Sequence, residues 1–332
     1  PPIVFFNQKS AYDFCLVLVG SEMCIRDSPY HGLSYALNGD LKGVTHPKGY
    51  PKNFERDIGG LLKVRSDIYR GLIFAKIQDD GPSLIEHLGD VAKYVELWAD
   101  LSPEPEFRVA HPHHYCFEGN WKFQAENGTD GWHARFTHGS AFETAADFGG
   151  PPTSTRSTAG CTRGFHHGFG ILERPGIRQG LTEEQNEVYL GLIKKRHVAD
   201  RIDDIWTERK IYLFPNLTLF DNLIRVIQPI SFNRTIVQSY PVLARGLPDD
   251  LNRIRISELH TRLSTAGMIN TDDLEMFASN QTGMRASKMR WIVLSHGMNE
   301  EKNLSGSECV ASDTSEVSQR AIYREWARLM SG

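Results

Sequence analysis

Apolar residues at Leu84, Ile85, Leu88, Val91, Val95, Leu97 and Trp98 recur at helical spacing, which predicts a helix over residues 83–99 with one broad buried face. Thr182 with Gln185 three positions on forms a capping box, and Glu183 and Glu184 fill the first turn, so a second helix is predicted over 182–205. A third covers 249–263. Elsewhere the pattern shortens. Residues 29–80 read as short strands with turns at Asn38-Gly39, Pro47 to Gly49 and Asp79 to Pro82. Residues 107–125 read as strands leading into a helix, and 210–244 as strands around Asn222. The segment from Gly149 to Gly176, rich in Gly, Pro, Ser and Thr, reads as loop, and no internal repeat is present.

Composition narrows the class. The chain has 332 residues, 40% of them hydrophobic, with mean hydropathy -0.38, enough for one large domain and part of another. A net charge of -4 gives no electrostatic case for nucleic acid. The apolar run Phe14 to Val19 is too short for a membrane span or signal segment. Of five cysteines, Cys116, Cys161 and Cys309 are far apart and form no CxxC pair, which suits a reducing cytoplasm.

Candidate chemistry concentrates in Glu126-Asn127-Gly128-Thr129-Asp130-Gly131-Trp132-His133, with His138 five residues on. Two neutral imidazoles and a carboxylate are the ligand set of non-heme Fe(II) oxygenases, which leaves open positions for O2 and substrate. Asp130 and His133, three apart, would share a helix face. Five steps of ~100° put His133 and His138 ~140° apart on an ideal helix. Converging on one metal therefore predicts a π-bulge or a helix that ends at His138, with Gly139 as terminator. The alternative is a pair of ordinary helix-surface histidines. His111 and His113 would share one side of a strand, yet no cysteine or acid at ligand spacing accompanies them, and they read as strand-edge or surface residues. His166-His167 reads as an exposed part of the glycine-rich loop.

The wider context, Asn120-Trp121-Lys122-Phe123-Gln124-Ala125-Glu126-Asn127 followed by Asp130, His133 and His138, resembles the catalytic domain of the Rieske-type aromatic ring-hydroxylating oxygenases. Pro29-Tyr30-His31-Gly32 looks like the end of that family's second Rieske motif, and Tyr69-Arg70-Gly71-Leu72-Ile73-Phe74 like the strand closing its cluster domain. Phe214-Pro215-Asn216-Leu217 and Arg225-Val226-Ile227-Gln228-Pro229 look like paired strands of the catalytic domain, and Ala266-Gly267-Met268 into Asp272-Asp273-Leu274 like the segment with the third iron ligand. Glu-Asn-Gly-x-Asp-Gly is closest to the benzoate, toluate and anthranilate branch.

The resemblance implies His133, His138 and Asp273 as ligands of a mononuclear Fe(II). By their residue type alone Asp272 and Asp273 stay interchangeable, and both could simply cap a helix beginning near Leu274. It implies Asp130 as the electron bridge from a neighbouring subunit's cluster, His31 as a ligand of the 2Fe-2S cluster, and Asn127 as a residue orienting water or substrate. A Rieske centre takes two cysteines and two histidines. Here Ser28 stands where the family has cysteine, Leu33 where it has tryptophan, and no Cys-x-His precedes them, so the 2Fe-2S cluster is not expected to assemble in this chain, which should be inactive with its reductase. Residues 1–28, Cys15 and Cys24 included, look instead like translated sequencing-adapter DNA, so the source locus is expected to encode Cys at position 28 and a Cys-x-His motif upstream.

The expected fold class is α+β: an antiparallel sheet with helices, of helix-grip type, preceded by a truncated all-β Rieske remnant. The domains would be an artefactual segment 1–28, a partial Rieske domain 29–80 and a mononuclear iron catalytic domain 81–332. The resemblance implies the α subunit of a cytoplasmic terminal oxygenase that adds O2 to an aromatic ring, an aromatic carboxylate foremost. Its electrons come from NAD(P)H through a ferredoxin or reductase, and it assembles as a homotrimer or, with a beta subunit, as α3β3. Two alternatives compete: a metal-free module binding hydrophobic ligands, and an inactive fragment.

Overall fold

The computed structural model describes residues 3–6, 26–27, 31–54, 60–61, 63–77, 80–147, 160–175, 180–286, 288, 291–304 and 306–331. Cys15, Cys24, Ser28, Pro29 and Tyr30, and part of the turn expected before Pro82, lie outside the described residues. The chain divides into two compact units at Gly81 and Pro82.

In the first unit, strands β1 (Ile3–Phe6), β5 (Arg65–Tyr69) and β6 (Leu72–Lys76) form an antiparallel sheet in the order β1-β6-β5. Strands β2 (Arg26–Asp27), β3 (Ser34–Tyr35) and β4 (Leu41–Gly43) form another. The motif Tyr69 to Phe74 is a hairpin rather than one strand. Tyr69 pairs with Leu72 across Arg70 and Gly71, both at positive φ (49° and 81°), the turn that matches strand twist. His31 is exposed in this unit.

The second unit is built on one ten-stranded antiparallel sheet. Its strands are β7 (Phe107–Val109), β8 (His113–Phe117), β9 (Cys161–Gly164), β10 (Gly170–Arg174), β11 (Glu208–Leu213), β12 (Leu217–Phe220), β13 (Leu223–Ser231), β14 (Arg234–Ala244), β15 (Lys302–Asn303) and β16 (Cys309–Ser312). They run in the order β15-β16-β9-β10-β11-β12-β13-β14, and β14 pairs with β7 along Val242–Ala244 and with β8 along Thr235–Ser239. The helices are α1 (Leu84–Leu88), α2 (Ala92–Ala99), α3 (Trp121–Asn127), α4 (Ala134–Thr137), α5 (Gly139–Asp147), α6 (Glu183–Lys194), α7 (Ala199–Trp206), α8 (Asp249–Leu263), α9 (Asn270–Ala286) and α10 (Val317–Met330). This is the expected α+β class.

All four residues of β12 are buried, as are Leu223 through Ile227 of β13, so the central strands are covered on both faces instead of alternating inside and out. α10 lies over β9, β10 and β16. Its approach requires a glycine: a Cβ at Gly170 would collide with the Ser318 hydroxyl, which bonds Thr129 Oγ1 at 2.6 Å. Among the described residues no helix is long and apolar enough to cross a membrane.

Several boundaries differ from the sequence reading. The helix expected over 83–99 is broken at Gly89, after Ser83 and Glu86 close a capping box on α1. The helix expected over 182–205 is two, α6 and α7, because Arg196 donates to the Ser102 and Glu104 carbonyls and holds the chain in a turn. Strand was expected up to residue 125, but the Asn120 side chain accepts the Lys122 N–H and starts α3 at Trp121. The glycine-rich loop contains β9 and β10, which pair with each other and with β16 and β11. The paired strands expected at Phe214–Leu217 and Arg225–Pro229 meet at Leu217 and Val226, with Phe214 to Asn216 in the preceding turn.

Candidate metal centre

α3 ends at Asn127, and the chain then makes a tight loop through Asp130. Asp130 is not helical; its Oδ1 accepts the N–H groups of Trp132 (2.6 Å) and His133 (3.3 Å), an Asx turn that launches α4. A Cβ at Gly131 would strike the Asp313 carbonyl, and Arg174 clamps the loop by donating to Gly131 O and pairing with Asp313 at 3.1 Å. α4 is a single turn that ends at His138 (φ -106°), and α5 starts at once from Gly139. The helix end at His138 resolves the ~140° mismatch of an ideal helix. Gly139 opens a new helix rather than closing the old one.

α9 supplies the third group. It begins at Asn270, four residues earlier than expected, and buries Asp273 against α4. Asp273 Oδ1 lies 3.6 Å from His133 Nε2 and 3.3 Å from His138 Nε2, and the ligand atoms of all three lie within 4.8 Å of one another. Two donors at right angles or at a tetrahedral angle, each ~2.1 Å from one ion, are roughly 3.0–3.4 Å apart. The 3.3 Å separation falls in that range and the 3.6 Å one just outside it, and the donor set, two imidazole nitrogens and one carboxylate oxygen, is one that suits a divalent transition metal.

Each imidazole has a carboxylate behind it. His133 Nδ1 is 3.2 Å from Asp130 Oδ2, and His138 Nδ1 is 3.2 Å from Asp272 Oδ2. Asn127 Nδ2 donates to Asp273 Oδ1 (3.0 Å) and faces His133 Nε2 at 3.1 Å. As a donor, the Asn127 amide makes Nε2 the acceptor of His133, which assigns the ring proton to Nδ1 on the side of Asp130. Gln124 extends the chain of contacts, accepting from Tyr115 OH and donating to Asn127 Oδ1.

The charges follow from these contacts. Burial works to raise the Asp130 carboxyl, but the His133 imidazole and two backbone donors outweigh it and hold it below its ordinary value. Burial likewise pulls the His138 imidazole down, and bonds to Asp273 and Asp272 outweigh that and raise it. A cation at the triad would take the place of that proton.

The structure thus joins five sequence candidates, Asn127, Asp130, His133, His138 and Asp273, in the second unit. His31 lies in the first. His111 is exposed, and His113 on β8 meets the His260 ring edge to face at 5.8 Å. His167 lies 3.8 Å from Glu325, beside a cavity separate from the triad. The reading of Asp272 as a capping residue is replaced: it sits inside α9 and backs His138. Its adjacency to Asp273 was visible in sequence, but the contact with α4 was not. Asparagine at 272 keeps the volume and loses the charge, so Fe(II) affinity should fall ~10–100-fold, read by titration with a competing chelator.

Glu126, next to Asn127 on α3, bonds Tyr323 OH, and burial pushes its carboxyl up to about 7. A folded-state pKa above the unfolded one means the proton stabilises the fold: that contribution is full below pH ~4.5 and is lost as pH rises to about 7. Glu126→Gln should therefore leave stability unchanged near pH 4.5 and raise it by about 3 kcal/mol at pH 8, read by urea unfolding across that range. A pH-independent difference would contradict this.

Residues 104–332 match the family described as ring hydroxylating alpha subunit, catalytic domain, and the chain belongs to it. Among its relatives are the anthranilate 1,2-dioxygenase large subunit of Acinetobacter baylyi, 27% identical over 82% of this chain, and the toluate 1,2-dioxygenase subunit alpha of Pseudomonas putida, 30% identical over 78%. The chain spans 62% and 61% of their lengths. The solved structure of naphthalene 1,2-dioxygenase with indole in its active site aligns at TM-score 0.79 and 22% identity, covering 94% of this chain and 74% of that one, a likeness of fold.

Proposed function

We propose that this chain carries the oxygenase centre of a ring-hydroxylating dioxygenase large subunit acting on an aromatic carboxylate. The observation that carries it is the convergence of His133 Nε2, His138 Nε2 and Asp273 Oδ1, with Asp130 and Asp272 behind the two imidazoles. These three residues would hold Fe(II), and the two carboxylates would fix tautomer and ring orientation. Bound Fe(II) supplies O2 activation, both oxygen atoms and two electrons from NAD(P)H going with two protons to the ring as a cis-dihydrodiol. Asn127 holds the triad's inner face, and Phe142, Leu181, Phe220, Leu263 and Ile269 line a cavity of about 110 Å³ beside it, where they would stack on the ring and exclude water. The names of the anthranilate and toluate relatives support a carboxylate-bearing substrate. The same reading gives residues 29–80 the place of a partial Rieske domain; with Ser28 where a cluster cysteine is needed, no 2Fe-2S cluster would form here to pass electrons by way of His31 of the partner subunit to Asp130, and the chain would be inactive with its reductase.

The test is anaerobic Fe(II) loading of the full chain, expected to give about one iron, followed by a single turnover with hydrogen peroxide and a panel of aromatic acids. Peroxide brings both oxygen atoms and the reducing equivalents, so no reductase is needed. Diol or phenol should form in wild type and not in His138→Ala. Equal yield in both would mean chemistry by loose iron; acid bound without iron would favour a metal-free binding module.

A further inference from the structure

We infer that Arg225 is the anchor for the substrate's carboxylate and sets the site's preference for aromatic acids over neutral arenes; this rests on the proposed function and names the residue that enforces it. Arg225 is the largest fully buried side chain described, 2% exposed, in the otherwise apolar run Leu223 to Ile227 of β13. It lines the same cavity as Asn127, His133, His138 and Asp273.

A buried guanidinium needs a counter-charge or a full set of acceptors. Arg225 has neither. Its Nη2 donates to Asn270 Oδ1 at 3.0 Å, its Nε has no acceptor, and its faces rest on the Tyr115 and Phe220 rings at 5.6 and 5.2 Å. The other guanidiniums of the cavity differ. Arg174, Arg209 and Arg262 are paired to Asp313, Glu173 and Glu258. Arg255 donates to Asn252 Oδ1 at 3.2 Å and rests on the Tyr189 ring, and unlike Arg225 it leaves no buried nitrogen without an acceptor.

Geometry puts the open donors beside the triad. Asn270, which holds Arg225, precedes Asp273 by three residues and shares its face of α9. A carboxylate on a ring seated at the triad would thus reach a planar fork that donates to two oxygens at once.

The experiment measures equilibrium binding of benzoate and of its neutral isostere benzamide to the full chain, anaerobic and Fe(II)-loaded, by calorimetry. Iron content and thermal melting are recorded for every variant. Wild type should prefer benzoate by about 10–100-fold, the value of one charge-assisted contact. In Arg225→Gln the preference should fall to near unity with iron content still about one, and Arg225→Lys should keep part of it. If wild type binds both probes equally, or if Arg225→Gln or, should that variant not fold, Arg225→Lys keeps the full preference, the assignment is overturned. So is it if Arg255→Gln, and not Arg225→Gln, removes the preference. Failure of wild type to hold iron would instead strike the proposed function, which the iron measurement reads separately.

Discussion

Alanine at His133 or Asp273 is expected to abolish stoichiometric Fe(II) binding, while His113→Ala leaves it intact. Each triad member supplies one of three donor atoms clustered within 4.8 Å, so truncation leaves two, too few to compete with water and chelator. The loss should exceed the ~10–100-fold expected for Asp272→Asn, since removing a ligand is a larger change than loosening one. Asp130→Asn should also weaken Fe(II) binding, because its carboxylate lies 3.2 Å from His133 Nδ1, the separation of Asp272 from His138 Nδ1. Isothermal titration of anaerobic protein gives the affinities, and melting curves without metal show whether a variant is folded. Comparable loss in His113→Ala, a β8 residue whose ring meets His260 of α8, would refute the ligand assignment.

The convergence of His133 and His138 was legible because the two candidates sit five residues apart inside a recognisable motif, so local sequence carried most of it. The third, Asp273, lies 135 residues beyond His138 and was found through resemblance, not spacing. Asp272 escaped because its partner is tertiary: nothing in Asp272-Asp273-Leu274 says that α9 will pack on α4. Arg225 had a readable signal, one charge in a run of apolar residues, but in the sequence reading it served only as part of a strand. Elements set by local chemistry were placed well: α8 runs from Asp249 to Leu263 as expected, and Thr182 caps α6 with Gln185. Strands β9 and β10 were missed because glycine-rich sequence weakens local preference, and β9 is completed by β16, about 150 residues away. The start of α3 was missed although its cap, Asn120, was there to be read.

Glutamine at Glu173 should cost about 3–5 kcal/mol of stability, a larger effect on folding than that of any surface charge. Glu173, 8% exposed on β10, bonds Arg163 Nε of β9 at 2.7 Å and Arg209 Nε of β11 at 2.6 Å, so one carboxylate neutralises two guanidiniums across three strands. Burial favours the neutral acid, yet the two arginines outweigh it and hold the carboxyl below its ordinary value. Glutamine fits the space but leaves Arg209 buried without a counter-charge, and Arg163 dependent on Glu308 alone. Because the folded pKa is depressed, the contribution is full above the unfolded carboxyl pKa near 4.5 and fades as pH falls through the folded value. The gap between wild type and Glu173→Gln should therefore be widest near neutral pH and close in acid. Urea unfolding at pH 7 and at pH 3 measures it. The exposed pair Arg245 and Glu104, 47% and 52% exposed, is the control, and Glu104→Gln should shift stability by less than about 1 kcal/mol. A Glu173→Gln loss no larger than the control's would mean that the surrounding β-sheet, with Tyr94 stacked beside both arginines, carries the charges without the carboxylate.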